Sequence, residues 1–181
     1  MATQPAGDRF VPVEEYLSKG YEPDCEYEDG VIVERNWGEF EHSFLQTILG
    51  TLFTNNMDAW GAYGLTEQRL QISERKFFVP DLCVLRVGAP AEDILRHPPL
   101  IAIEIMSPED TKRRAAKKAA DYLNFGVQHV WVIDPGARVA YRGTEAGLQL
   151  VPSGELTVPG TPIFVRISEL FEKLDRIRSA Q

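Results

Sequence analysis

Two carboxylates interrupt runs that are otherwise apolar. Asp81 follows Pro80 in VPDLCVL at 79–85, and Glu104 sits in LIAIEIM at 100–106. A lone carboxylate removed from water is costly, so it pairs with a cation, takes up a proton or binds a metal. A salt bridge to a nearby lysine or arginine is the plain explanation. The other explanation is chemical. Two acids and a lysine form the smallest set that supports metal-assisted phosphodiester hydrolysis. The acids hold a divalent cation, which polarises the phosphate and lowers the pKa of a bound water. The lysine orients that water or meets the developing negative charge. Hard oxygen donors select Mg²⁺ or Mn²⁺ over zinc.

These side chains need elements that aim them. Along LIAIEIM the side chains alternate, so Leu100, Ala102, Glu104 and Met106 face one way and Ile101, Ile103 and Ile105 the other. Both faces are apolar apart from Glu104, which predicts an interior strand. Pro80 cannot donate to a ladder, so it marks a strand start, an edge or a bulge, where a side chain can be turned into a cleft. The lysine candidate is Lys118, in TKRRAAKKAADYL at 111–123. At 100° per residue Ala115, Ala116, Ala119 and Leu123 make the packing face of this helix, with Lys118 at its margin one turn before Tyr122. Arg113 and Lys117 fall on the opposite, solvated side.

The remaining elements follow from period and punctuation. VEEYLS after Pro12 predicts a short helix, and CEYEDGVIVERN a hairpin about Asp29-Gly30. Leu45, Ile48, Leu49 and Leu52 form a helical stripe from about Gly38, with His42 at its end. Residues 60–72 read as extended, with a turn near Gly64. Ser107-Pro108-Glu109-Asp110 predicts a helix start, and Gly126 its stop. HVWVIDP, VAYRG and LQLV read as strands, and ISELFEKLDRIR as a final helix carrying Leu170, Phe171 and Leu174. His129 in its strand reads as structural, and His97 before Pro98-Pro99 as part of an exposed loop. The fold class is a mixed α/β sheet with helices on its faces.

Composition narrows the class of function. The chain has 181 residues, 44% hydrophobic and 25% charged, which predicts one globular domain over 1–181 with residues 1–10 frayed. A net charge of -8 argues against a nonspecific nucleic-acid coat, but not against acids that hold a cation beside a phosphate. Cys25 and Cys83 lie in no metal-ligand spacing and are expected as reduced thiols. With no apolar run of membrane-spanning length and no signal-peptide pattern, the expectation is a cytosolic protein without a membrane partner.

The pieces EYEDG at 26–30, EH at 41–42, VPDLCVL, IEIMSPED at 103–110 and KKAADYLNFGVQHVWVIDP at 117–135 carry a resemblance. They resemble the PD-(D/E)xK nuclease superfamily, and more closely its Uma-type restriction endonuclease family, first catalogued as a bacterial domain of unknown function. The resemblance implies a restriction-endonuclease-like fold, a DNA substrate and a homodimer. It implies Mg²⁺ or Mn²⁺ held by Asp81, Glu104 and the backbone carbonyl of Ile105. The superfamily's usual lysine stands two residues after the second acid, where this chain has Met106. Lys118, four residues before Tyr122, matches Uma-type sequences that carry the lysine on the following helix. Glu26, His42 and Tyr122 are drawn near the site by the same resemblance. Glu26 would bind the cation through water or take up the lysine's charge. His42 would contact phosphate or carry a proton near neutral pH, or else make only a local hydrogen bond at its helix end. The contrasting functional reading is a catalytically inactive accessory protein, binding nucleic acid or protein on the same fold. Met106 and the overall acidity favour it. A third is an acidic metal-binding regulator without nucleic acid.

Overall fold

The structure, a computed structural model, describes residues 10–21, 24–35 and 39–179. The expected fraying of residues 1–10 lies, apart from Phe10, outside the described residues. A short helix α1 (Val13–Ser18) leads into β1 (Cys25–Glu28) and β2 (Val31–Glu34). The hairpin between them turns on Asp29 and Gly30, with φ of 49° and 100°. Two positive φ angles suit the right-handed twist of the flanking strands and explain the Asp-Gly pair. Next come α2 (Phe40–Asn55), α3 (Met57–Trp60), β3 (Ala62–Thr66), β4 (Leu70–Ser73), β5 (Lys76–Phe78), β6 (Leu82–Arg86) and β7 (Ile101–Ile105). The chain continues through α4 (Lys112–Phe125), β8 (His129–Asp134), β9 (Val139–Thr144), β10 (Gly147–Leu150), β11 (Glu155–Thr157), β12 (Phe164–Arg166) and α5 (Ile167–Ser179).

The central sheet has six strands in the order β10-β9-β8-β7-β6-β3. Only β7 and β8 are parallel, and α4 is the crossover that joins them. As the alternation predicts, β7 lies inside the sheet and sends its two faces into different cores. Ile101, Ile103 and Ile105 pack with Leu45, Leu49 and Phe53 of α2 and Leu170, Phe171 and Leu174 of α5. Ala102 packs on the other side with Ala119 and Tyr122 of α4. A separate four-stranded antiparallel sheet, β2-β1-β5-β4, covers a third core built on Tyr16, Tyr27 and Phe77.

Several local expectations fail for identifiable reasons. Gly64 lies within β3 rather than in a turn, because a Cβ there would come within 3.2 Å of Phe53 and Leu82 as α2 crosses the sheet. The turn falls beyond β3, where Glu67 takes φ 53°. Helix α4 is capped by Thr111, whose hydroxyl accepts the Arg114 N–H at 3.2 Å. Ser107 and Asp110 instead close a turn of their own, the Ser107 N–H donating to the Asp110 carboxylate at 2.9 Å. The helix does end at Gly126, φ 106°, as expected. Its buried face is Ala119 and Tyr122, with Ala115, Ala116 and Leu123 only half-buried. A Cβ on Gly143 would meet that of Ala119 at 3.1 Å, so α4 approaches the sheet closely at this turn. Lys117 lies on the solvent side but is not simply solvated, since it reaches Glu28 of β1 at 2.7 Å. His97 is half-buried against Glu92 rather than in an open loop. Strands β5, β11 and β12 carry too few residues to show a period. Both cysteines are buried. No described helix is long and apolar enough to cross a membrane.

Candidate active site

The β6–β7 ladder opens at one end, and the sequence explains why. Its last pair is Leu82 with Ile103, so Asp81 and Pro80 would come next opposite Glu104 and Ile105. Pro80 has no N–H to give to the Ile105 carbonyl, and the Asp81 carbonyl faces away, accepting from the Gln46 side chain at 2.9 Å and the Glu67 N–H at 3.4 Å. Past this last pair the Ile105 N–H donates to a side chain instead of to β6 backbone. The Asp81 carboxylate takes that place, its Oδ2 accepting from Ile105 at 2.7 Å. One acid caps the end of the ladder while the other, Glu104, projects from the neighbouring strand.

Donors reach the two acids from opposite faces of the sheet. From α2, His42 Nε2 lies 3.1 Å from Asp81 Oδ2, and Gln46, one turn on, holds the Asp81 carbonyl. Arg35, just past β2, sets its Nη2 3.1 Å from Asp81 Oδ1 and its Nη1 3.4 Å from Glu67. From α4, the Tyr122 hydroxyl donates to Glu104 Oε1 at 2.6 Å, and Lys118 Nζ lies 2.9 Å from the same oxygen. Lys118 also sits 2.7 Å from Glu26 Oε1, which accepts the Val79 N–H at 2.9 Å. Its ammonium lies 5.4 Å from the centre of the Phe78 ring. Ion pairs of Lys117 with Glu28 and Lys76 with Asp121 hold α4 against the small sheet, so that Lys118 and Glu26 meet.

Burial and these partners set opposite charge states. Burial works against the Asp81 carboxylate, but His42, the Ile105 N–H and Lys118 together hold it below the usual carboxylate range. Burial also disfavours a charged His42, yet the hydrogen bond and charge of Asp81 raise its pKa. For Glu104 burial wins. Lys118 and Tyr122 pull its carboxyl down and the charges of Asp81 and Glu26 push it up, leaving it at about 7. Lys118 is raised, because Glu104 and Glu26 outweigh its desolvation. Arg35 is raised by Asp81 in the same way.

The expected residues Glu26, His42, Asp81, Glu104, Lys118 and Tyr122 thus come together, with the Ile105 backbone between the two principal acids. Met106 does not join them. It lines a cavity of about 440 Å³ with Ser107 and Pro108, next to His42. Arg35 and Gln46 were not anticipated. Gln46 follows His42 by one helical turn, a spacing that the sequence does display; Arg35 has no local signal at all.

The donor chemistry fits a hard divalent cation. Among the described residues Glu104 Oε2 receives no hydrogen bond, and Asp81 Oδ1 has Arg35 alone. No cluster of three or more His, Cys, Asp or Glu side chains suited to a metal occurs among the described residues.

Comparison with known proteins gives a family and a fold. Residues 13–166 match the Uma2 family, described as "putative restriction endonuclease". The chain belongs to the Uma2 family. A solved structure with the same fold is a putative nuclease of DUF820 from Anabaena variabilis ATCC 29413, determined at 1.96 Å resolution. It is 24% identical, and the match covers 91% of this chain and 99% of that one with a TM-score of 0.79. No curated protein matches the chain. Family and fold together mark this Uma2 protein as a restriction-endonuclease-like nuclease at the general level.

Proposed function

We propose that this Uma2 protein is a divalent-metal-dependent endonuclease that hydrolyses phosphodiester bonds of DNA. The observation that carries the reading is the fork at the end of β6 and β7. There Asp81 and Glu104 flank the Ile105 backbone, and Lys118 Nζ stands 2.9 Å from Glu104. Asp81, Glu104 and the Ile105 carbonyl would hold Mg²⁺ or Mn²⁺. When bound, the cation polarises the phosphate and acidifies a water.

The protein's own groups divide the remaining work. Asp81 is ionised throughout the neutral range, because its hydrogen bonds favour the charged form. Lys118 stays protonated, so it orients the attacking water and faces negative charge rather than taking a proton. Glu26 fixes the Lys118 ammonium from behind, and Tyr122 fixes the rotamer of Glu104. His42, with its pKa raised, supplies positive charge to Asp81 and is close enough to the cavity to meet a phosphate. The substrate assignment to DNA rests on the family, and the working unit would be a homodimer.

The test is cleavage of plasmid and single-stranded DNA, with and without Mg²⁺ or Mn²⁺, beside Asp81→Asn and Glu104→Gln. Metal-dependent cleavage lost in both variants is the expected result. Cleavage that survives both puts the site elsewhere. A second reading, a catalytically inactive accessory protein, is favoured by the cavity beside His42. Among the described residues its walls carry Glu39, Glu41, Asp110 and Asp134 against Lys112. Absence of cleavage with every metal, together with weak metal binding, would select that reading.

A further inference from the structure

We infer that Arg35 competes with the divalent cation for Asp81 Oδ1 and, once displaced, turns to the substrate phosphate; this rests on the nuclease reading above. Three features of its contacts lead there. Asp81 Oδ2 is committed twice, to the Ile105 N–H at 2.7 Å and to His42 at 3.1 Å. Oδ1 accepts only from Arg35 among the described residues, so it is the oxygen through which a cation would reach Asp81. The guanidinium is already in the position of a counter-charge on that oxygen.

The hold is divided as well. Arg35 does not clamp Asp81 with both nitrogens, which is the strong, bidentate form of such a pair. One nitrogen reaches Asp81 at 3.1 Å and the other reaches Glu67 at 3.4 Å. The Glu67 side chain is 55% exposed and that of Asp81 only 6%, so the guanidinium bridges the buried acid and the solvent edge. A cation arriving at Oδ1 leaves Arg35 anchored at Glu67, with its planar fork free beside the fork of the strands. Arginine suits phosphate for the same geometric reason that it suits carboxylate. Its charge is permanent, so the exchange depends on position rather than on pH.

Opposite effects on two ligands provide the test. Mn²⁺ binding is measured on EDTA-treated protein by calorimetry and by Mn²⁺ paramagnetic resonance, without DNA, for wild type, Arg35→Ala, Arg35→Lys and Arg166→Ala. Affinity for an uncleavable phosphorothioate duplex is measured with Ca²⁺ present. Arg35→Ala should bind Mn²⁺ about tenfold more tightly, since a positive charge in contact with the ligand oxygen is removed. It should bind the duplex about tenfold more weakly, for loss of a phosphate contact. Arg35→Lys keeps the charge but cannot span two acids, and should fall between. Arg166→Ala makes the same charge change at an exposed ion pair with Glu155 and Glu169 and should leave Mn²⁺ binding unchanged.

Unchanged or weaker Mn²⁺ binding in Arg35→Ala overturns the competition, as does equal tightening in Arg166→Ala. Unchanged duplex affinity overturns the hand-over to phosphate. Mn²⁺ binding that ignores Asp81→Asn would instead remove the nuclease site itself, and this inference with it. Coincident unfolding transitions for wild type and Arg35→Lys show that the comparison is between folded proteins.

Discussion

Asp81 and Glu104 are acids at the end of one sheet, yet the protein treats them in opposite ways. Asp81 is enclosed by a backbone N–H, an imidazole and a guanidinium, and despite its burial it stays more acidic than a free carboxylate. Glu104 has one lysine and one hydroxyl, both on the same oxygen, and its carboxyl rises to about 7. The lysine is also shared with Glu26 at 2.7 Å. Burial alone does not decide the charge state; the count and exclusivity of the donors do. Asp81 is built as a fixed anion, Glu104 as one that still lacks positive charge.

The largest effect that separates them is on stability and activity together. Asp81→Asn and Glu104→Gln should each lower DNA cleavage about a thousandfold, since each removes a group aimed at the reacting charge. Their thermal unfolding should diverge. An asparagine amide cannot satisfy Arg35, His42 and Ile105 at once, so Asp81→Asn should cost about 3 kcal/mol. Glu104→Gln removes a buried charge that is poorly compensated, and should be neutral or stabilising at pH 8 without metal. Calorimetry of both variants at that pH decides the matter. Equal destabilisation would erase the distinction.

A second separation comes with pH. Below about 7 the folded Glu104 holds a proton that its unfolded counterpart, with the ordinary value of 4.5, has released. More protons in the native state mean that this group's contribution falls as pH rises from about 4.5 to 7. Asp81 has the reverse sign. Its contribution is complete above the ordinary carboxylate value and is lost as pH falls below it. A cation needs the Glu104 carboxylate ionised, so Mn²⁺ affinity should climb with pH up to about 7 and then level off. Titrations at several pH values should show that climb in wild type and a flat line in Glu104→Gln. A climb that persists in Glu104→Gln assigns the proton elsewhere.

Lys118 sharpens the contrast on one side only. Lys118→Met should slow cleavage about a hundredfold through loss of a donor to the attacking water. It should also drive the Glu104 carboxyl higher and move the midpoint of Mn²⁺ binding upward in pH, with Asp81 little changed. Raising the pH should restore metal binding but not the rate. Recovery of both would leave Lys118 with only a tuning role.

The halves also differ in how far the sequence exposes them. Glu104 was legible, because strict alternation in β7 places it on the face of Ala102, and that face meets α4. Lys118 and Tyr122 follow from that helix and from the family resemblance. The partners of Asp81 were mostly hidden. Arg35 is 46 residues away and Gln46 is 35, on elements whose approach depends on how the small sheet and α2 pack. No periodicity encodes such contacts. Close packing misled in the same way at Gly64, a turn former by composition that serves in β3 as space for α2. The Ser107–Asp110 segment competes for its own backbone groups, so the cap passes to Thr111.

The smallest test concerns the hydroxyl of Tyr122. Its ring is buried and meets Phe78 edge-on at 5.4 Å between centroids, so Tyr122→Phe preserves packing and deletes one donor. The hydrogen bond stabilises Glu104 as an anion, and its loss should raise the carboxyl and weaken Mn²⁺ binding at pH 7 about threefold to tenfold. At pH 8.5 most of that difference should disappear, because Glu104 is ionised there with or without the hydroxyl. The unfolding free energy should change by about 1 kcal/mol. The midpoint of Mn²⁺ binding against pH is the decisive reading. If it stays in place, Tyr122 is a packing residue and Lys118 alone sets the charge of Glu104.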